Sequence, residues 1–204
     1  MLYTIMLDDK KFLDPLIDSD QLDRLVGALS TETRTSRIDL YHAPRSFAGV
    51  FSEPLKVNFP VFKKSKVKRE IPDITVFEGR LFLNQKAYSA LKDLIKADGE
   101  FLPAVYDGGD AYIFTPLNVA ESNNALDATL SKKSEWGDLE NLAFHEEKLG
   151  NWVLFRAEFN AFYTLQCTQA FVNAVQQNDL KGLYITTNLG SVFAVERSEV
   201  SKLN

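Results

Sequence analysis

Three stretches of this chain repeat their apolar residues at helical spacing, and much of the rest alternates in short runs between turn-forming residues. Leu22, Leu25, Val26 and Leu29 fall at i, i+3, i+4 and i+7, one stripe of a helix that Ser19 or Asp20 can cap. Tyr88, Leu91, Leu94 and Ile95 share a face of QKAYSALKDLIKA, with Asn84 as its N-cap and Gly99 where a left-handed C-terminal residue is wanted. Phe171, Val172 and Val175 mark a third helix, opened by Thr168 or its neighbour.

Strand signals surround these helices. YTIML opens the chain, and ITVFEGRLFLN reads as two apolar runs turning at Glu78-Gly79. FLPAVY and AYIFTPLNV flank Asp107-Gly108-Gly109-Asp110, whose residue types tolerate the positive φ of a turn. Pro103 cannot donate to a ladder, which predicts an edge strand or a bulge there. NLAFHEE and NWVLFRAEF read as a further hairpin turning through Lys148 to Asn151. In it Val153, Phe155, Ala157 and Phe159 alternate with Leu154, Arg156 and Glu158. Residues 182–187 and 191–196 read as the last strands, and 31–60 as mostly irregular backbone with one or two short strands. Helices interspersed with hairpins predict an α+β fold, a mixed or antiparallel sheet with a few packed helices.

The run KKSKVKRE, with Lys63, Lys64, Lys66, Lys68 and Arg69 against Glu70, changes polarity abruptly. A solvated linker or edge strand is the favoured reading, and contact with an anionic partner is the alternative. It is the expected boundary between an N-terminal lobe, residues 1–70, and an α+β domain, residues 71–204. The 204 residues are 45% hydrophobic and 25% charged, ordinary for a globular chain large enough to bury a core. A net charge of −5 argues against sequence-independent nucleic-acid binding, which needs surplus Lys and Arg. No apolar run approaches a membrane span, and MLYTIMLDDKKF lacks the pattern of a secretory signal. A cytoplasmic location is expected.

Candidate chemistry is sparse. His42, His145 and Cys167 supply too few ligands for structural zinc, and Cys167 in LQCTQAF is expected to be a small buried residue. DGGD falls short of the ligands a calcium loop requires. No nucleophile elbow, dinucleotide fingerprint or Walker loop is present. No catalytic residue, metal or cofactor is therefore expected.

Charge distribution is more informative. Between residues 98 and 147, eleven acids face only Lys132 and Lys133, a net −9. Such a segment can steer a basic partner, although a solvated acidic surface explains it equally well. The candidate protein-binding residues are Tyr106, Asp107, Asp110, Glu121, Asp127, Glu135, Trp136, Asp138 and Glu140, with Trp136 as either a core or an interface anchor.

The layout of PDITVFEGRLFLNQKAYSALKDLIKADGEFLPAVY, followed by ALDATLS, LFRAEF and DLKGLYIT, resembles the bacterial family grouped as immunity-protein family eleven, also called domain of unknown function 1629. The resemblance spans roughly residues 70–187 and carries no catalytic residues. It implies a non-enzymatic protein that neutralises a toxin by occlusion, to which an acidic surface facing a basic toxin would be suited. The alternative expectation is a small enzyme or ligand-binding protein whose pocket is assembled from dispersed residues.

Overall fold

The computed structural model describes residues 1–26, 44–61 and 68–190. Among them the order is β1 (Leu2–Leu7), β2 (Leu16–Ile17), α1 (Ser19–Val26), β3 (Leu55–Asn58), β4 (Ile74–Phe77), β5 (Arg80–Asn84), α2 (Gln85–Ile95), β6 (Gly99–Tyr106) and β7 (Gly109–Pro116). There follow β8 (Lys132–Lys133), β9 (Leu139–Asn141), β10 (Leu154–Phe155), β11 (Leu165–Thr168), α3 (Gln169–Gln177) and β12 (Leu183–Thr186), with short 3-10 turns at Ala120–Asn123 and Glu146–Lys148. The fold is α+β. A six-stranded sheet runs β2-β3-β6-β7-β5-β4, a four-stranded sheet runs β10-β11-β1-β12, and β8-β9 form a ribbon. Among the described residues, the named strands all pair antiparallel except β3 with β6. β1 pairs with β11 and β12, and β3 with β6, so residues on both sides of position 70 share the two larger sheets. No helix among the described residues is long and apolar enough to cross a membrane.

Side-chain alternation explains how the six-stranded sheet is buried on both faces. On β5, Leu81 and Leu83 enter one core with Ile5, Leu91, Phe114 and Phe171. Phe82 between them enters a second core with Leu55, Val57, Leu102 and Ile113. The first core is closed by α2 through Ala87, Leu91 and Ile95, and by α3 through Phe171, Val172 and Val175. Asn84 caps α2 as expected, its Oδ1 accepting from the Ala87 N–H at 2.9 Å. For α1 the cap is Asp18, ahead of both expected candidates, Ser19 and Asp20, because its Oδ1 accepts from the Gln21 N–H at 2.7 Å. Leu22 and Leu25 pack on the second core.

Four local expectations are corrected. Gly99 is the first residue of β6 and does not adopt a left-handed conformation. Its requirement is steric, since a Cβ there would stand 2.1 Å from the Thr115 carbonyl oxygen. β6 is an interior strand, with Pro103 opposite Tyr112 of β7. The β3 ladder begins only at Ala104, so the missing N–H falls just before it. NLAFHEE and NWVLFRAEF do not pair with each other. Leu126 bridges to Phe144, while β10 joins β11 through Leu154↔Cys167 and Phe155↔Gln166. Nor does the second of these segments show the expected alternation with a single apolar face, because Leu154, Phe155, Arg156 and Ala157 are all buried. Leu29, His42, Lys63, Lys64, Lys66 and the expected strand at 191–196 lie outside the described residues. The end of the basic run is pinned, with Glu70 exchanging backbone hydrogen bonds with Lys11 and Leu13.

Candidate functional site

The β8–β9 ribbon is a hairpin whose tip is held by its own backbone and one serine. The Ser134 N–H donates to the Asp138 carbonyl (2.8 Å) and the Gly137 N–H to the Ser134 carbonyl (3.0 Å). Ser134 Oγ accepts from the Trp136 and Asp138 N–H groups at 3.2 and 3.1 Å. At the base, Ser131 Oγ donates to the Ala143 carbonyl and accepts from its N–H, and Asn141 Nδ2 donates to the Leu130 carbonyl. This fixes the main chain and leaves the Trp136 side chain outside, 90% exposed. Glu135, Asp138 and Glu140 are exposed around it, and Leu130 adds a second exposed apolar side chain near the base. Lys133 turns away from the acids, its Nζ 4.9 Å from the centre of the Phe159 ring.

The remaining candidates have other surroundings. Tyr106 is half-buried, edge-on to Phe59 and Phe82 at ring separations of 6.0 and 5.3 Å, and belongs to the second core. Asp107 and Asp110 are exposed at the β6–β7 turn. Glu121 accepts from the Glu158 and Phe159 N–H groups, both at 2.9 Å. Asp127 Oδ1 accepts from Thr129 and Leu130 N–H at 2.9 and 3.0 Å, closing a local turn. Glu121 and Asp127 are thus committed to backbone donors. The structure gathers Glu135, Trp136, Asp138 and Glu140 on one hairpin and places the other candidates on separate elements.

Cys167 is fully buried in the first core, and burial pushes its thiol far above the ordinary range. His145 precedes the 3-10 turn, with Nδ1 3.9 Å from Glu147 Oε1. Among the described residues, no group of three His, Cys, Asp or Glu side chains could hold a metal ion.

What the spacing of residues did not reveal is a pair of buried arginines, Arg80 and Arg156, each 1% exposed. Arg156 lies over the β4–β5 turn. That turn has positive φ at both Glu78 (49°) and Gly79 (68°), the geometry of a two-residue hairpin. A Cβ at position 79 would stand 2.5 Å from the Arg156 Cζ, so a side chain there would displace the guanidinium, in addition to the strain of the positive φ. Arg156 Nε and Nη2 donate to the Phe162 carbonyl at 3.1 and 2.6 Å. Two successive left-handed residues, Ala161 (φ 55°) and Phe162 (φ 61°), accompany that carbonyl. The one sequence hint was Arg156 standing within the apolar run WVLFRAEF.

A scan against known protein families finds no match to this chain, and a search of curated protein sequences finds no matching relative.

Proposed function

We propose that this chain is a non-enzymatic protein-binding module that seats the tip of its β8–β9 hairpin on a basic surface of a partner protein. The observation that carries this is the tryptophan at the hairpin tip, 90% exposed on a turn held by hydrogen bonds to Ser134 and Asp138. A large apolar side chain held in water contributes nothing to the fold and gains most when a partner desolvates it. Glu135, Asp138 and Glu140 around it would steer a cationic surface and set the register of docking. The resemblance to the immunity family points to the class of such a partner, without naming it. The proposal is a bacterial toxin neutralised by occlusion in the cytoplasm, with no bond made or broken.

The test is capture of partners from the native bacterium on the wild-type chain and on a variant with Glu135, Asp138 and Glu140 changed to Lys. A protein retained only by the wild type, toxic when expressed alone and harmless when co-expressed with this chain, is the expected result. Equal retention by both forms would remove the hairpin from the reading, and a retained protein with no toxicity would remove the immunity role.

A further inference from the structure

A cleft of about 530 Å³ opens between β1, the segment 9–16, the β4–β5 turn and residues 161–164, with Arg156 in its wall. That volume lies within the ordinary range for small-molecule sites, roughly 300–1,000 Å³. The cleft is assembled from positions remote in sequence and is distinct from the β8–β9 hairpin.

Arg156 is its most informative member. A guanidinium offers five N–H donors in a planar fork, and here Nε and Nη2 are used on one carbonyl while Nη1 has no hydrogen-bond partner. Burial, reinforced by the charge of Arg80, lowers its pKa to about 9. Neither of the causes that shift its pKa is a carboxylate. A buried cation without a counter-charge is costly unless something else supplies one. The Phe162 ring, 5.4 Å from Cζ, and Gly79 fix the plane of the fork from two sides. An oxyanion entering the cleft would meet a donor already oriented.

Carboxylates also line the cleft, with Asp9 and Asp14 exposed at its rim. Glu78 lines it with them, and burial followed by the charge of Asp9 holds the Asp14 carboxyl above its ordinary range. These acids would repel a simple anion. Pro15, Leu16, Phe77 and Phe162 supply apolar wall between the two charged regions. We propose that this cleft binds a small zwitterion of the amino-acid or dipeptide class, its carboxylate on Arg156, its ammonium towards Asp9 and Asp14, and its apolar body along Leu16 and Phe77.

Titration calorimetry on the full chain tests this with the free L-amino acids, the dipeptide Ala-Leu, its N-acetyl form, its C-terminal amide, and inorganic phosphate. The expected result is saturable binding of at least one free amino acid or the free dipeptide. Blocking either end of a binding dipeptide, or of a binding amino acid treated the same way, should weaken it by about tenfold or more, as loss of one charged contact requires. Arg156→Gln should abolish binding. Because that residue is buried, Asp14→Asn at the exposed rim serves as the second variant, and it should remove the discrimination against the N-acetyl form while keeping that against the amide. Binding of phosphate alone, equal binding of free and N-acetylated forms to the wild type, or no saturable binding of any probe would overturn the proposal.

Discussion

Asp98 and Glu135 belong to the same acid-rich stretch, but one is inside the protein and the other is outside it. Asp98 is buried where α2 ends. Its Oδ2 accepts from the Val153 and Leu154 N–H groups at 3.0 Å each, and its Oδ1 from Asn118 Nδ2 at 2.8 Å. Its own carbonyl accepts from the Leu117 N–H, so one residue joins the end of α2, the end of β7 and the start of β10. Glu135, at the hairpin tip, is exposed and surrounds a tryptophan that is also exposed. Between these extremes Glu100 holds Ser46 and the Phe47 N–H, while Glu121 and Asp127 hold backbone N–H groups. Formal charge along a segment is therefore a poor measure of the charge a surface presents. Acids that satisfy buried or turn donors stabilise the fold, and only the remainder can attract a partner.

The largest effect should come from removing the interior carboxylate. Asp98→Ala leaves two backbone donors and the Asn118 amide without their acceptor, and should cost about 3–5 kcal/mol in denaturant unfolding. A cost below about 1 kcal/mol would show that the two regions do not differ as described. Glu121→Ala, which frees two less buried N–H groups, should cost about 1–2 kcal/mol by the same measurement.

A smaller effect has a definite sign. Burial raises the Asp98 pKa, opposed by the hydrogen bonds from Leu154, Val153 and Asn118. The folded state then holds that proton more tightly than the unfolded chain. Its contribution is full below the ordinary carboxylate pKa and is lost as pH rises through the raised value. Comparing the stability–pH profiles of wild type and Asp98→Asn should show this decline only in the wild type. An opposite slope would mean that the hydrogen bonds outweigh burial. Smallest of all, Trp136→Ser or the triple lysine reversal at 135, 138 and 140 should change stability by no more than about 0.5 kcal/mol, as surface positions do. A larger loss on unfolding would place the hairpin tip in the fold and not in an interface.

The features legible in the sequence were those decided by neighbours along the chain. Asn84 caps α2 because its side chain reaches an amide three residues on, and Glu78-Gly79 turns because both positions need positive φ. The apolar stripes of α2 and α3 follow from helical spacing alone. What escaped was set by residues far away. Gly99 answers to Thr115, Pro103 to where β3 begins, and the polarity of 153–157 to two cores at once. Trp136 could be placed in a polar loop, but whether it pointed inward was decided by Ser134 capturing its N–H. Arg156 was hidden for the same reason, since Gly79, Phe162 and Asp14 share no local pattern with it.

The position of β1 bears on how the molecule is made. It precedes the other described strands in the sequence, yet its neighbours are Leu165–Thr168 on one side and Leu183–Thr186 on the other. Until those segments have been made, β1 has neither strand partner. The four-stranded sheet can close only once β12 has been made, so it is built from contacts distant in sequence, whose loop-closure cost delays pairing relative to local hairpins.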